Sequence, residues 1–435
     1  MSNPLKSSTE PFLHEENARL LRAVQELSVL NDLATAIGGL QNSKEIIQSI
    51  IHRSLRAVAA EQGVITLVEE SSVTAMRTLV RTMDGRDPGT KFHLDQQLLG
   101  WMHLHKQPLL IDDPAKDERF RGVSWEPSIR SVLSVPLIVK SALRGMLTVY
   151  NKKGGGRFTS DDQRLLAIIG AQSGQILENA RLAESEKELQ LLQEDIRVAA
   201  RIQRNLLPQA TPVLPQYDIA GTTIPAQVVG GDYFDFFPVG DAQLGVALGD
   251  VSGKGLPASL LMANVQATLR GQALWAGGAA ECLRRANQLL YLSSSSDRFV
   301  SLFFAILDAA HHTLTYCNAG QDPPVLMDAA GRCTRLTTGG PVLGVMENAV
   351  YEESTISLQP DDVVLVYSDG FSEALNPGGD LFGEERILSV LQDHRSTETG
   401  TIISALLQSI AVHAGAAPPS DDRTVIAVRR RNVNY

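Results

Sequence analysis

The chain has 435 residues, 43% of them apolar, and a formal net charge of -10. This length allows about three structural units of ~150 residues each, and the apolar content is ample for packed cores. The acidic balance argues against a protein that works by neutralising the phosphate backbone of nucleic acid, so we expect no nucleic-acid partner.

Cysteine usage and hydropathy point to a cellular compartment. Cys282, Cys317 and Cys333 are too widely spaced for a disulfide framework or a zinc site. The sequence has no run of about 18 apolar residues, and its first thirty positions carry glutamates where a leader would be basic and then apolar. We therefore expect a cytoplasmic protein that is not membrane-spanning.

The first part of the chain predicts a short lead-in and one mixed domain. Residues 1–27 are interpreted as a disordered start followed by an amphipathic helix, because Leu13, Leu20, Val24 and Leu27 fall at helical spacing. Residues 28–177 mix helical periodicity with short β-rich runs, at 63–68, 130–140 and 145–151. This pattern predicts an α+β domain.

A long helix is predicted next, from 161 to 206, because no Gly or Pro occurs after Gly174. Its apolar seam has heptad spacing, at Leu182, Ser185, Leu189, Leu192, Ile196, Ala199, Gln203 and Leu206. Residues 178–207 therefore predict a coiled-coil linker that pairs two copies of the chain as a parallel homodimer. The two polar seam positions leave open a single surface helix that packs on its own domain.

The remainder, 208–435, begins where three prolines end the helix. Strands are predicted at 218–223, 243–249, 299–307, 313–317, 362–367 and 424–428, and helices at 258–274, 279–292, 384–392 and 401–413. Strands and helices alternate without a strict βαβ rhythm, which favours an α+β sandwich over a doubly wound sheet.

Four aspartates in this second domain lie where apolar strands meet turns. They are Asp232 in VGGDYFDFF, Asp250 in ALGDVSGKG, Asp369 in LVYSDGFSE and Asp421 in SDDRTVIAV. Carboxylates brought together repel one another, which favours a bound cation, and oxygen ligands without His or Cys favour Mn or Mg over Zn. Two such ions would polarise a phosphoryl group and activate water for phosphomonoester hydrolysis. Taken singly, each aspartate is also compatible with an ordinary turn residue.

Residues 217–428 resemble the SpoIIE/RsbU-like branch of the type 2C metal-dependent protein phosphatases. The motifs that carry the resemblance are GGDYFDF, GDVSGKG, FVSLFFAILD, NAGQDPP, GGPVLGV, YSDGFSEA and DDRT, in that order. The resemblance implies an α/β-β/α sandwich and two Mn or Mg ions. It also implies a phosphoserine- or phosphothreonine-protein substrate, a phosphorylated STAS-domain anti-anti-sigma protein.

The resemblance also implies roles for individual residues. Asp250 would bridge both ions, the Val251 carbonyl would add a ligand, Asp369 and Asp421 would complete one ion, and Asp232 would hold the other ion or its water. Asp422 is an alternative to Asp421, although the spacing to Thr424 favours Asp421. Lys254 is interpreted either as a solvated side chain or as a residue that steers substrate phosphate.

The chain departs from the family pattern at three positions. Gln321 and Asp322 replace the usual histidine and asparagine of an NAGHNPP-like turn, and Ser301 stands where threonine is frequent. None of the three is a metal position in the family, so the departures leave the predicted activity intact.

Residues 28–177 resemble a GAF sensor domain. The resemblance rests on the entry helix, the LLGWMHLHKQPLLIDD stretch, the hairpin at 130–153 and the helix that begins after Phe158. It implies an antiparallel sheet flanked by helices and a small-molecule or protein ligand that the sequence does not identify. Asn151, Lys152 and Asp162 partly match a cyclic-nucleotide motif, for which we favour a structural role.

Together these features predict a GAF-controlled signalling phosphatase. The alternative hypothesis is a non-catalytic GAF-containing sensor or scaffold, in which the second domain binds a signalling partner without turning it over. The presence of all four aspartates favours the enzyme.

Overall fold

A computed structural model describes residues 43–68, 96–123, 125–240, 242–293 and 298–432, together with single positions between 16 and 31. The chain forms two compact units, residues 1–190 and 191–435. The predicted disordered start and Leu13 lie outside the described residues, whereas Leu20, Val24 and Leu27 are helical and exposed. Within the described part of the chain, no helix is both long enough and apolar enough to cross a membrane.

The first unit is built on a four-stranded antiparallel sheet. Its helices are α1 (Ser43–Ala57), α2 (Gln96–His105) and the first part of α3 (Ser160–Leu206), and its strands are β1 (Ala60–Leu67), β2 (Leu109–Ile111), β3 (Val132–Val139) and β4 (Ala142–Lys152). The strand order is β1-β4-β3-β2. Strand side chains alternate between two faces: Leu133 and Val135 join the core under α1 and α3, and Val132 joins the core beside α2.

The residues that match the cyclic-nucleotide motif make contacts within the unit itself. Lys152 lies 2.7 Å from the Asp162 carboxylate, which also accepts from the backbone and hydroxyl of Thr159. The Asn151 side chain accepts from Arg130 N at 2.7 Å. The Lys152–Asp162 pair fastens the end of β4 to the start of α3, and Asn151 fastens β4 to the segment that precedes β3, so these residues have structural contacts within the unit.

The second unit contains two facing sheets. Its strands are β5 (Tyr217–Ile224), β6 (Tyr233–Gly240), β7 (Gln243–Val251), β8 (Val300–Asp308), β9 (Thr313–Ala319), β10 (Val325–Met327), β11 (Cys333–Arg335), β12 (Gly339–Gly340), β13 (Ser354–Ser357), β14 (Val363–Tyr367) and β15 (Arg423–Arg430). One sheet has the order β11-β10-β14-β15-β5. The other has the order β12-β9-β8-β7-β6, with β13 paired to β9.

Helices cover the outer face of each sheet. They are α4 (Leu256–Ala273), α5 (Ala279–Ser293), the single turn α6 (Asp369–Ser372), α7 (Glu384–His394) and α8 (Thr399–Ala414). In β7, Val246 and Leu248 pack between the sheets, whereas Ala247 and Val251 pack under α4 and α5. A third core lies between the five-stranded sheet and α7 and α8. The predicted α/β-β/α sandwich is therefore confirmed.

Strand β6 was not predicted from the sequence, because an aspartate interrupts its aromatic run. Asp235 is fully buried there and is paired with Arg270 of α4 at 2.7 and 2.8 Å. The Tyr233 hydroxyl and the Phe236 amide donate to the same carboxylate. A buried charge is tolerated when it is paired and fully hydrogen-bonded, and here it fastens α4 to β6.

Candidate metal centre

The four predicted aspartates lie at strand ends of the two facing sheets. Asp232 immediately precedes β6, and Asp250 is the second-last residue of β7. Because Tyr233 pairs with Gly249, the antiparallel register places Asp232 opposite Asp250. Asp369 directly follows Ser368 at the end of β14, and Asp421 precedes β15. Each sheet thus contributes two of the four carboxylates.

Burial and the neighbouring carboxylates raise the pKa values of three of these aspartates. Burial, followed by the charges of Asp369 and Asp421, raises the pKa of Asp250 to about 7. Burial and then Asp421 raise the pKa of Asp369 to about 6. Burial and then Asp250 raise the pKa of Asp232 well above its ordinary value. A cluster of this kind binds protons or cations to relieve the repulsion.

The surroundings of Asp232 fit a small cation. Its Oδ2 atom is buried and has no hydrogen-bond partner among the described residues. A Cβ atom at Gly231 would lie 3.0 Å from the Val251 carbonyl oxygen and 3.6 Å from Asp250 Oδ1, so glycine keeps this space open. The donors are all oxygens, which Mg and Mn prefer.

The carboxylates are not drawn together as they stand. In the described part of the chain, no three Asp, Glu, His or Cys side chains lie close enough to hold one ion. One of the carboxylates is already paired, because Lys254 Nζ lies 2.9 Å from Asp421 Oδ2 and 2.5 Å from the Ser420 carbonyl oxygen. A cation would have to compete with Lys254 for Asp421.

Asp421 and Asp422 have different environments. The Asp422 carboxylate accepts hydrogen bonds from Gly231 N at 2.6 Å and from Ala226 N at 2.7 Å, and the residue is only 7% exposed. The Asp422 carbonyl oxygen would lie 1.8 Å from a Cβ at position 370, so the close approach of these two backbone segments requires Gly370. Asp422 therefore holds the loop that carries Asp232, whereas Asp421 is half-buried with its carboxylate on Lys254.

A glutamine near the end of α3 also contacts this loop. Gln203 Nε2 donates to the Gly230 carbonyl at 2.6 Å, and Gly230 N donates back to Oε1 at 3.2 Å. In addition, Gln266 of α4 donates to the carbonyl of Leu206. Sequence reasoning placed Gln203 on the coiled-coil seam. In the structure, its side chain bonds to the loop before β6 in the second unit.

The turn between β9 and β10 reaches the same cleft. Asp322, which stands where the family has asparagine, accepts a hydrogen bond from the Ser372 hydroxyl at 3.3 Å. Its charge contributes to the raised pKa of Asp369. Burial in turn raises the pKa of Asp322 itself. This fifth carboxylate was not among the predicted site residues.

Two family models match the chain. Residues 240–431 match Stage II sporulation protein E (SpoIIE), and residues 41–178 match the GAF domain. The predicted resemblances are confirmed for both regions.

Curated relatives align over roughly half of the chain. Protein IcfG of Synechocystis sp. is 28% identical over 266 residues, which cover 54% of this chain and 41% of IcfG. Phosphoserine phosphatase RsbU of Bacillus subtilis is 25% identical over 250 residues, which cover 56% of this chain and 72% of RsbU. The chain thus spans less than half the length of the first relative.

One solved structure supports the fold. The SiaA-PP2C domain of Pseudomonas aeruginosa aligns with a TM-score of 0.50 and 22% identity, over 56% of this chain and 98% of that domain. The second unit therefore has the architecture of a PP2C domain.

Proposed function

The chain joins a GAF domain to a SpoIIE domain, and from this premise we propose that it is a metal-dependent phosphatase of phosphoserine or phosphothreonine proteins. The observation that carries the proposal is the placement of Asp232, Asp250, Asp369 and Asp421 at strand ends of two facing sheets. Burial and then neighbouring carboxylates raise the pKa values of the first three. The name of RsbU, a phosphoserine phosphatase, supports the same reaction class.

We assign the ligands as follows. Asp250 would be a ligand of both Mn or Mg ions, the Val251 carbonyl would add a ligand, Asp369 and Asp421 would complete one ion, and Asp232 would hold the other ion or its water. The buried Oδ2 of Asp232 and the space at Gly231 support the role of Asp232. The engagement of Asp422 by backbone amides supports Asp421 over Asp422 as a ligand.

The bound ions would supply polarisation of the phosphoryl oxygens and a nucleophile derived from water. Water adds to phosphorus, the bond to the serine oxygen breaks, and serine and inorganic phosphate leave. The protein's own contribution is to present the carboxylates at the strand ends of two sheets, which limits how far each side chain must move to reach an ion.

We propose a phosphorylated STAS-domain anti-anti-sigma protein as the substrate, and control of the reaction by a ligand of the GAF domain. The helix α3, which runs unbroken from Ser160 to Leu206, supports a mechanical route for that control. The exposed Leu182, Leu189 and Leu192 on this helix support a homodimer through the linker. The proposed location of the protein is the cytoplasm.

Phosphate release tests the enzymatic proposal against the scaffold alternative. The full chain with Mn would be incubated with para-nitrophenyl phosphate and with a panel of phosphorylated STAS proteins. We expect turnover that Asp250→Ala and Asp369→Ala abolish. Wild-type protein that binds a phosphorylated STAS protein without releasing phosphate would establish the scaffold.

Control through the helix is tested with Glu188→Pro, because proline inside a helix costs about 3 kcal/mol and breaks or kinks it. Glu188→Ala is the matched control. If both variants have the same turnover and the same response to Mn, the proposed route through α3 is wrong.

A further inference from the structure

Gln321 is a buried glutamine that makes hydrogen bonds in two directions. It is 6% exposed and follows β9 in the NAGQDPP turn. Its Oε1 accepts a hydrogen bond from the Ser301 hydroxyl at 2.6 Å, and its Nε2 donates to the Tyr367 carbonyl at 3.3 Å. One amide group therefore connects two strands that belong to different sheets.

Each of these strands leads to a carboxylate of the candidate metal centre. Ser301 lies in β8 and is the register partner of Asp250 in β7. Tyr367 is the last residue of β14 and stands two positions before Asp369. Gln321 thus joins the side chain of Ser301, which lies opposite Asp250, to the backbone two residues before Asp369.

The backbone of Gln321 is itself fixed. The Asn318 side chain accepts from Gln321 N at 2.8 Å and donates to the Gln321 carbonyl at 2.9 Å. Because the side chain and the backbone are both held, the amide has little freedom to let the two strands separate. A rigid bridge of this kind resists the repulsion between the two carboxylates.

We propose that Gln321 is a positioning residue that sets the spacing of Asp250 and Asp369, and thereby the affinity for divalent cations. The inference rests on the proposed function, since it assumes that these aspartates bind the ions. The side-chain amide suits the role because it carries a donor and an acceptor on one planar group. Ser301 supplies the matching hydroxyl donor, so the two departures from the family pattern form one interacting pair.

Direct measurement of Mn binding to the full chain tests the proposal without reference to turnover. We expect Gln321→Met, which keeps the volume and loses both hydrogen bonds, to raise the Kd for Mn in calorimetry by about 10- to 100-fold, the range for residues that orient metal ligands. Ser301→Ala should act in the same direction, and Ser301→Thr, which keeps the hydroxyl, should bind like wild type. The exposed Gln359→Met is the matched control.

A double-variant cycle separates positioning from general destabilisation. If the bridge is the cause, Gln321→Met combined with Ser301→Ala weakens Mn binding no more than Gln321→Met alone. Wild-type Mn affinity in Gln321→Met, or fully additive effects in the double variant, would overturn the proposal. If Gln321→Met does not fold, Ser301→Ala, which removes the hydroxyl that donates to Gln321, carries the same test.

The two proposals can fail separately. Wild-type chain that binds Mn but releases no phosphate contradicts the proposed function and leaves the Gln321 measurement valid. Wild-type chain that turns over substrate, with unchanged Mn affinity in Gln321→Met, contradicts only the positioning role.

Discussion

At the scale of single residues, neighbouring aspartates differ in what they contact. The Asp422 carboxylate accepts hydrogen bonds from the backbone amides of Gly231 and Ala226. Among its described contacts, the Asp421 carboxylate pairs with Lys254 and accepts a hydrogen bond from the backbone amide of Asp422. Replacing Asp422 should therefore affect the stability of the protein, whereas replacing Asp421 should affect metal binding.

We expect Asp422→Asn to destabilise the metal-free protein by about 1–3 kcal/mol, because charge-assisted hydrogen bonds to Gly231 and Ala226 are weakened. Asp421→Asn should leave metal-free stability within about 1 kcal/mol of wild type, since it loses one half-exposed ion pair. It should instead weaken Mn binding. Urea unfolding with EDTA and calorimetry with Mn measure the two effects. The reverse pattern would make Asp422 the ligand.

The raised pKa of Asp250 predicts how the stability of the metal-free protein depends on pH. With a pKa of about 7 in the folded chain and a lower one in the unfolded chain, the folded state binds the extra proton between about pH 4 and 7. The contribution of Asp250 to the free energy of unfolding should therefore be largest below this window and be lost as pH rises through 7.

Asp250→Asn isolates this contribution. We expect the variant to be more stable than wild type by about 1–3 kcal/mol at pH 8 without metal, and to have a flatter pH profile, while losing activity. Urea unfolding at pH 5.5 and pH 8 in EDTA provides the comparison. Equal pH profiles for wild type and Asp250→Asn would show that the carboxylates do not interact as described.

At the scale of elements, the end of α3 belongs structurally to the second unit. Ala200 is buried, and Gln203 holds Gly230 by two hydrogen bonds just ahead of Asp232. The last turns of the helix therefore support the loop that carries one of the proposed metal ligands.

We expect Gln203→Ala to lower both Mn affinity and phosphate release several-fold, because the Gly230 loop loses its attachment to α3. Gln193→Ala, on an exposed position of the same helix, is the matched control and should resemble wild type. Calorimetry and phosphate release measure the two quantities. Equal values for both variants would limit Gln203 to a passive contact.

At the scale of the whole molecule, the linker helix exposes an apolar seam. Leu182, Leu189 and Leu192 are 52%, 55% and 56% exposed in the single chain, which is a large apolar area for an isolated helix. Burial of these side chains against a second copy would remove that area from water.

We expect Leu189→Glu combined with Leu192→Glu to convert a dimer into a monomer. Leu191→Glu, at an exposed leucine outside the heptad seam, should remain dimeric. Light scattering coupled to size-exclusion chromatography gives the masses. A monomeric wild-type chain would contradict the coiled-coil linker and favour the single surface helix.

Local patterns in the sequence determined many of the strands and helices of this protein and its candidate metal ligands. Short apolar runs predicted β7, β8 and β15, and helical periodicity without proline predicted α3, α4 and α8, because these features depend on neighbours along the chain. The motifs also identified the aspartates, since strand ends are where a sheet can present a carboxylate. The domain boundaries at 28, 178 and 208 stay predictions.

Only the tertiary structure decided how residues distant along the chain share one site. The pairing of Asp422 with Gly231, of Gln203 with Gly230 and of Gln321 with both sheets joins segments separated by many residues. No local period or propensity encodes such contacts, because they depend on how the two sheets pack face to face. The sequence determined which carboxylates were available, and the packing decided which of them remain free to bind a cation.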